Sequence, residues 1–337
     1  MPNTAFRLPA EWERQSATLL AWPAPRTDWS GRLPGIQQEY VLLIQAICRR
    51  QDVYLLVPSG STEAQQRLGE TPGLHLLEIP YDDTWCRDYG PITLVGGSGG
   101  ERLALDFHFD GWGGKYPAAQ DNRVNTLLAR HPHFKRLKFR QYLFELEGGA
   151  IESDGRGTLL VNWHCLHARL PHLKRGEIEY ELNTLLNMER VIGIDLEPLP
   201  GDDTDGHIDT IARFIDTDFI AYQRQPDESR HGRLLEQLQT LRQADVKGKR
   251  LPYRLVELPV PDGVDPTLPA NYANFLFVNG ACLVPAYGVP ADREARDVLA
   301  EALSGRGIEV ESVASAVMIE QYGGPHCASM HLPAALT

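Results

Sequence analysis

The sequence predicts an α/β protein, built as a circular or stacked array of one repeated unit: a hairpin, a helix and a closing strand. That unit recurs four times, chemically equipped segments stand beside the repeats at similar intervals, and no linker breaks the run. In the first unit, Ile92–Val95, a Gly-rich turn and Leu103–Phe109 form the hairpin, a helix starts at about Asn122, and Gln141–Leu146 closes it. In the second, Ile151–Glu152 and Thr158–Asn162 flank an Asp154-Gly155 turn, followed by a helix over Glu177–Met188 and a strand over Val191–Leu196. In the third, Ile208–Ile215 and Phe219–Gln223 flank Asp216-Thr217-Asp218, with a helix through Leu234–Leu241 and the strand Tyr253–Leu258. In the fourth, Phe275–Val278 and Ala281–Pro285 flank Asn279-Gly280, with a helix over Asp292–Leu303 and the strand Ile308–Val313. Such an array gathers side chains from distant parts of the chain at one centre.

The bulk numbers bound what that centre can serve. A chain of 337 residues has room for two domains, yet no Pro/Ser-rich linker or low-complexity tract separates halves, so residues 1–337 read as one domain. The 42% hydrophobic content holds no apolar run long enough to span a bilayer. Met1–Gln15 is polar, without the apolar core of an export signal, and the five cysteines are unpaired in spacing; both point to the cytoplasm. A formal net charge of −12 argues against a nucleic-acid partner and is compatible with a cationic small substrate.

Four short segments place Gly, His, Cys and carboxylates at the edges of apolar strands: D-D-T-W-C-R-D-Y-G-P from Asp82 to Pro91 after the strand Leu74–Pro80, L-E-G-G from Leu146 to Gly149, D-D-T-D-G-H-I-D from Asp202 to Asp209, and Y-G-G-P-H-C from Tyr322 to Cys327. Asp88, Glu147 and His207 follow one another at about sixty residues, one repeat. Taken singly, each has an ordinary explanation. Asp88 could shape a turn, Glu147 could be solvated, His207 could be structural, and Cys327 could be an inert buried thiol. Gly148-Gly149 implies a close backbone approach, and Asp209, two residues beyond His207 in an extended strand, would share its face. Jointly they read as a site. The run N-W-H-C-L-H-A-R-L-P-H puts His164, Cys165, His167 and His172 in one short loop, but their spacing fits no four-ligand zinc pattern, so no metal is expected.

A thiol, an imidazole and several carboxylates suit nucleophilic attack on a positively charged substrate. Carboxylates raise the pKa of a nearby thiol unless a bound cation neutralises them. A guanidinium does so, because its planar N–H fork matches carboxylate oxygens.

The motifs resemble those of the agmatine deiminase and bacterial peptidylarginine-deiminase-like family, in the guanidine-modifying or pentein superfamily. The resemblance runs in order through R-L-P-A-E-W-E and T-L-L-A-W-P near the start, W-x-R-D at Trp85–Asp88, F-D-G-W-G-G at Phe109–Gly114 and L-E-G-G. It continues through D-T-D-G-H-I-D, P-A-N-Y-A-N-F at Pro269–Phe275 and G-G-P-H-C at Gly323–Cys327. It implies a five-bladed α/β propeller of ββαβ-type units, a single catalytic domain, in which Thr18–Trp22, the Tyr40–Cys48 helix and Val53–Val57 belong to the remaining blade. It also implies Cys327 as nucleophile, His207 as general acid and base, Asp88 and Asp209 as the guanidinium clamp, and Glu147 orienting His207 and touching the substrate. Trp85, Trp112 and Gly324 would lie against the substrate, no cofactor would be needed, and a homo-oligomer would be in keeping. The leading substrate is agmatine, hydrolysed through a Cys-bound amidino intermediate to N-carbamoylputrescine and ammonia, a step toward putrescine. Another small guanidine, a peptidyl-arginine, amidino transfer to an amine, a Cys–His amide hydrolase and a ligand-binding protein without activity are the alternatives. Two departures bear on the substrate tail. Tyr322 and Pro325 alter the family's G-G-G-N-x-H-C approach, and the His-rich run replaces an Asn/Arg/Pro-rich loop.

Overall fold

The structure, a computed structural model, describes residues 6–96, 100–243 and 249–335. The middle of the first hairpin's Gly-rich turn and the first five residues of the N-terminal segment fall outside that range.

Four three-stranded sheets repeat one topology: an antiparallel pair, then a third strand parallel to the second. They are β4 (Ile92–Gly96), β5 (Glu101–His108) and β6 (Lys138–Glu145); then β7 (Ile151–Ser153), β8 (Thr158–Asn162) and β9 (Arg190–Ile194). The third and fourth are β10 (Ala212–Asp216), β11 (Phe219–Gln223) and β12 (Arg254–Leu258), and β13 (Leu276–Val278), β14 (Ala281–Ala286) and β15 (Glu309–Ala314). A parallel third strand demands a crossover, and a helix supplies it in the second to fourth units, over Arg175–Leu186, Glu228–Thr240 and Ala291–Ala302. In the first unit the helix is only a short turn pair, Asp121–Arg123 and Val124–Leu128.

The fifth sheet is made from both ends of the chain. β1 (Gln15–Ala21) runs parallel to β2 (Asp52–Val57) across the helix Leu33–Cys48, and β3 (Leu74–Glu78) extends the sheet. Its antiparallel partner is β16 (Ser329–Pro333), with Leu19 opposite Met330. The C-terminal strand thus completes the first unit and closes a five-bladed α/β propeller. The first strand of each unit is the inner one: β16 packs beside β4, and β7 beside β10.

Two sequence expectations change here. Ile208 does not start a strand: Ile208–Thr210 is a 3-10 turn, and β10 begins at Ala212. The cause is local, since Thr204 Oγ1 accepts the His207 N–H at 3.1 Å and Thr210 Oγ1 donates to the His207 carbonyl at 2.9 Å. The shared-face argument for His207 and Asp209 therefore fails, although both reach the same site. The His-rich run is not a loop either. Trp163–Arg169 is a helix whose first turn is capped by the Asn162 side chain, which accepts the His164 N–H at 3.3 Å. Cys165 is buried, His164 and His167 are partly exposed, and His172 is exposed.

The Asp154-Gly155 turn forms as the sequence predicts. The Asp154 carboxylate accepts the N–H groups of Arg156 at 2.7 Å and Thr158 at 2.9 Å, while Gly155 takes a left-handed φ of 71°. Asp154→Ala leaves two backbone donors short of a partner and should cost about 1–3 kcal/mol. Urea unfolding of the two proteins measures this directly, with an unchanged midpoint as the contrary result.

Candidate active site

The candidate residues arrive at the centre by the same route in four of the five units. Each sits in the short segment leading into an inner strand: Asp88 before β4, Glu147 before β7, His207 and Asp209 before β10, and Cys327 before β16. Gly149 shows how closely three of them converge. A Cβ on that residue would lie 2.5 Å from His207 Nδ1, 2.9 Å from Asp88 Oδ1 and 3.2 Å from Asp209 Oδ2. Gly148 likewise faces the Arg87 carbonyl too closely for any side chain. The L-E-G-G glycines are there for close approach, not for an unusual φ.

Asp88 is fully held. Its Oδ1 accepts the Gly149 N–H at 3.0 Å, and its Oδ2 accepts the Trp112 indole N–H at 3.0 Å. Burial pushes its pKa up to about 6, with Glu147 and Asp209 adding to the rise and His207 opposing it. His207 Nε2 lies 3.4 Å from Glu147 Oε2, and Nδ1 lies 3.7 Å from Asp88 Oδ1. Burial works against the charged ring, but Asp88, Glu147 and Asp209 outweigh it and lift the His207 pKa to about 10. Asp209 is buried too, yet its pKa falls: burial pushes it up, and His326, bonded to Oδ2 at 2.7 Å, together with His207 and Arg213 more than reverses that.

The Cys327 Sγ lies 3.0 Å from the donor Asn274 Nδ2 and 3.6 Å from Asp209 Oδ2. Burial first, then Asp209 and Asp88, drives its pKa well above the usual thiol value, against bonds from Gly324 and Asn274. Asp209 Oδ1 is buried in this cluster without a hydrogen-bond partner. Unmet capacity of this kind costs about 1–3 kcal/mol, and an N–H donor on a ligand would satisfy it.

A cavity of ≈ 170 Å³ leads to this cluster, with Cys327, Asp88, Trp85 and Trp112 in its lining. Trp112 has a left-handed φ of 57° amid Gly111, Gly113 and Gly114, all at positive φ. That strain, about 1–3 kcal/mol for a non-glycine residue, turns the indole onto Asp88 and into the wall. Asp28, Asp83, Asp202, Asp203 and Glu320 add five more carboxylates to the lining, while no Lys, Arg or His lines it among the described residues. Tyr322, at a left-handed φ of 67°, stands at the exposed rim. One expectation shifts by a residue: Gly323 lines the cavity, whereas Gly324 bonds the thiol through its backbone and is backed by Asn274. His207, Glu147 and Asp209 are fully buried and contribute no wall.

Four participants escaped the sequence reading. Asn274 donates to both Asp209 and Cys327 and accepts the N–H groups of His326 and Cys327 at 3.1 and 3.2 Å. It precedes β13, the one inner strand left without a candidate. The interval from His207 to Cys327 spans two repeats and could have pointed to it. Arg169 places Nε 2.5 Å from Glu147 Oε1. Glu11 and His326 form part of a buried network described below. Among the described residues, metal-ligand types gather at Glu147, Cys165 and His207, which differs from the His-rich set considered from the sequence. Arg169 already occupies Glu147 there, so the set suits an ion pair better than a cation.

Comparison with known proteins gives a consistent result. A sequence model of the Porphyromonas-type peptidyl-arginine deiminase family matches residues 7–333. The chain is 31% identical, over an alignment 358 positions long, to the agmatine deiminase of Pseudomonas aeruginosa (strain LESB58), covering 98% of this chain and 96% of that one. Among solved structures it superposes on the substrate-bound agmatine deiminase of C. jejuni with a TM-score of 0.89 and 30% identity, covering 99% and 98% of the two chains. The Enterococcus faecalis agmatine deiminase gives a TM-score of 0.87 at 25% identity, covering 98% and 96%. With the sequence matched almost from end to end and the five-bladed architecture shared, the chain belongs to the Porphyromonas-type peptidyl-arginine deiminase family.

Proposed function

We propose that this protein is a guanidine iminohydrolase acting on agmatine, with residues 1–337 as one catalytic domain and Cys327 as nucleophile. The observation that carries the reading is the cavity: a thiol in the wall of a carboxylate-lined cavity that, among the described residues, offers no basic group to an anion. Its relatives named agmatine deiminase support the substrate. Free arginine would bring a carboxylate against Asp28, Asp83 and Asp202, a like-charge contact that costs several kcal/mol when poorly solvated. Agmatine brings an ammonium instead. Burial, with Asp28 and Asp203 close by, pushes the Asp83 pKa up to about 7, a strain that a tail cation relieves. A cavity of ≈ 170 Å³ suits a small guanidine better than a peptide.

In the proposed course, the guanidinium head passes the thiol and donates to Asp88 and to the bare Asp209 oxygen. Its charge offsets the carboxylates that hold the thiol protonated, so Cys327 loses its proton to solvent as substrate binds. The thiolate attacks the guanidinium carbon. His207, charged at rest, donates its proton to the departing nitrogen, and ammonia leaves an amidino group on sulfur. Neutral His207 then takes a proton from water, whose oxygen attacks the same carbon. Thiolate departs, the oxygen gives up its remaining proton to solvent, and a ureido product remains. Glu147, backed by Arg169, holds the ring in place. We place this reaction in the cytoplasm, on the way from agmatine toward putrescine; no helix among the described residues is long and apolar enough to cross a membrane.

Ammonia release from agmatine, arginine and an arginyl peptide tests the assignment. Agmatine should be turned over, Cys327→Ala should lose at least about 10³-fold, and preferential release from arginine would overturn the agmatine reading. The pH profile follows from three groups. kcat/KM should rise with pH most steeply below about 6, where Asp88 must also ionise to clamp, keep rising above it because productive binding expels the Cys327 proton, and stop rising near 10, as His207 loses the proton it must donate. A profile flat across pH 5–7 would contradict the Asp88 role. For the tail, Asp83→Asn should raise KM for agmatine several-fold, of order 1 kcal/mol, and leave methylguanidine, which has no tail charge, nearly unaffected. Equal effects on both would remove Asp83 from tail recognition.

A further inference from the structure

Next to the nucleophile stands a histidine that the reaction above does not use. His326 is buried, and each ring nitrogen faces a carboxylate: Nδ1 lies 2.7 Å from Asp209 Oδ2 and Nε2 lies 2.7 Å from Glu11 Oε2. An ionised carboxylate only accepts, so both contacts are hydrogen bonds when the ring carries a proton on each nitrogen. Glu11 is itself fixed. Its Oε1 accepts the Phe277 N–H at 2.8 Å and faces Arg213 Nη2 at 3.2 Å, while Oε2 accepts from Arg87 Nη2 at 3.1 Å. Arg213 is tied in turn to Glu152 at 2.7 Å and to the Phe275 carbonyl at 2.6 Å. The His326 ring is therefore anchored at one end and free to dictate the other.

At that other end it dictates a great deal. His326 and Asn274 both bond Asp209 Oδ2, and Oδ1 is left buried and without a partner. A carboxylate with one oxygen pinned and one bare is oriented to receive a donor on a single side. Asp88 has no comparable side-chain bond at 2.7 Å: its oxygens accept a backbone N–H and an indole N–H at 3.0 Å, and His207 Nδ1 stands 3.7 Å from Oδ1. The two carboxylates of the clamp are thus held by different means, and their pKa values move in opposite directions.

We propose that His326 is a positioning residue for guanidinium recognition: bridging Glu11 and Asp209, it fixes the Asp209 carboxylate with Oδ1 presented to the head of the substrate. The inference rests on the guanidine reading above and adds to it a residue that acts through Asp209 rather than on substrate. It also gives the N-terminal segment, through Glu11, a part in binding.

Binding to the Cys327→Ala protein tests this without turnover, with agmatine and methylguanidine as ligands, the second carrying the head alone. Adding His326→Gln should weaken both ligands by about tenfold or more, the scale of a charge-assisted bond. Adding it to Asp209→Asn should change little, because its target is already gone. A purely structural His326 would instead multiply its loss with that of Asp209→Asn, and that result, or unchanged affinity in His326→Gln, overturns the proposal. Failure of agmatine alone to bind, with methylguanidine retained, would count against the agmatine reading and leave this test intact. Should His326→Gln not fold, 15N-histidine NMR of the Cys327→Ala protein replaces it. The ring whose Nδ1–H signal is perturbed by Asp209→Asn should shift when methylguanidine is added, and a signal indifferent to the ligand overturns the proposal.

Discussion

One buried carboxylate, that of Glu11, is where the separate units of this propeller meet. It receives a backbone N–H from β13, guanidinium groups from the segment before β4 and from β10, and the His326 ring from the segment before β16. An ionised group removed from water is tolerable only when its hydrogen-bonding capacity is filled. Here it is filled from units that do not otherwise share a sheet, and Arg213 carries the link on to Glu152 in β7. Its pKa shows the outcome: burial pushes it up, and His326, Arg213 and Arg87 bring it well below the usual carboxylate range. Breaking one member of a buried ionic group costs about 3–5 kcal/mol, so the axis resists any sliding of one unit against another. The candidate residues sit within a few positions of the inner strands and inherit that rigidity.

The same low dielectric that makes Glu11 a strong anchor keeps the site quiet at rest. Cys327 is held as a thiol by burial and by its acidic neighbours, and His207 is held as a cation by three carboxylates. Neither is in the state that an unprompted nucleophile and base would need. In the proposed reaction a planar cation would offset the charge that suppresses the thiol while filling the bare oxygen of Asp209, so that selectivity and activation would arise from one event.

Much of this was legible in the sequence because repetition is legible. Asp88, Glu147 and His207 follow the period of the fold, and the hairpin turns at Asp154-Gly155 and Asn279-Gly280 mark the units. Asn274 obeys the same period but is an amide, a residue type that draws no notice until it is seen bonding a thiol and a carboxylate together. Glu11 and Arg213 were hidden for another reason. A charge in an N-terminal segment or an Arg between apolar strand residues reads as solvated, and only the closed ring shows that both point to its axis. The closing strand β16 is short and ends in proline, a weak strand signal by itself. Its pairing with β1 is a long-range fact that local pattern does not contain. The turn at Ile208–Thr210 lies within a run rich in Ile and Phe that reads as a strand, while Thr204 and Thr210 bond the His207 backbone and bend it.

The chain builds its centre in a definite order. β16 and the segment before it follow all four three-stranded units in the order of synthesis. A growing chain therefore carries Asp88, Glu147, His207 and Asp209 well before it carries Cys327, and the thiol arrives together with the strand that shuts the ring. The residues that would gather a cation can exist without the one that would attack it, but never the reverse. A chain that stops before β16 thus holds the carboxylates and His207 but has neither Cys327 nor the strand that pairs with β1.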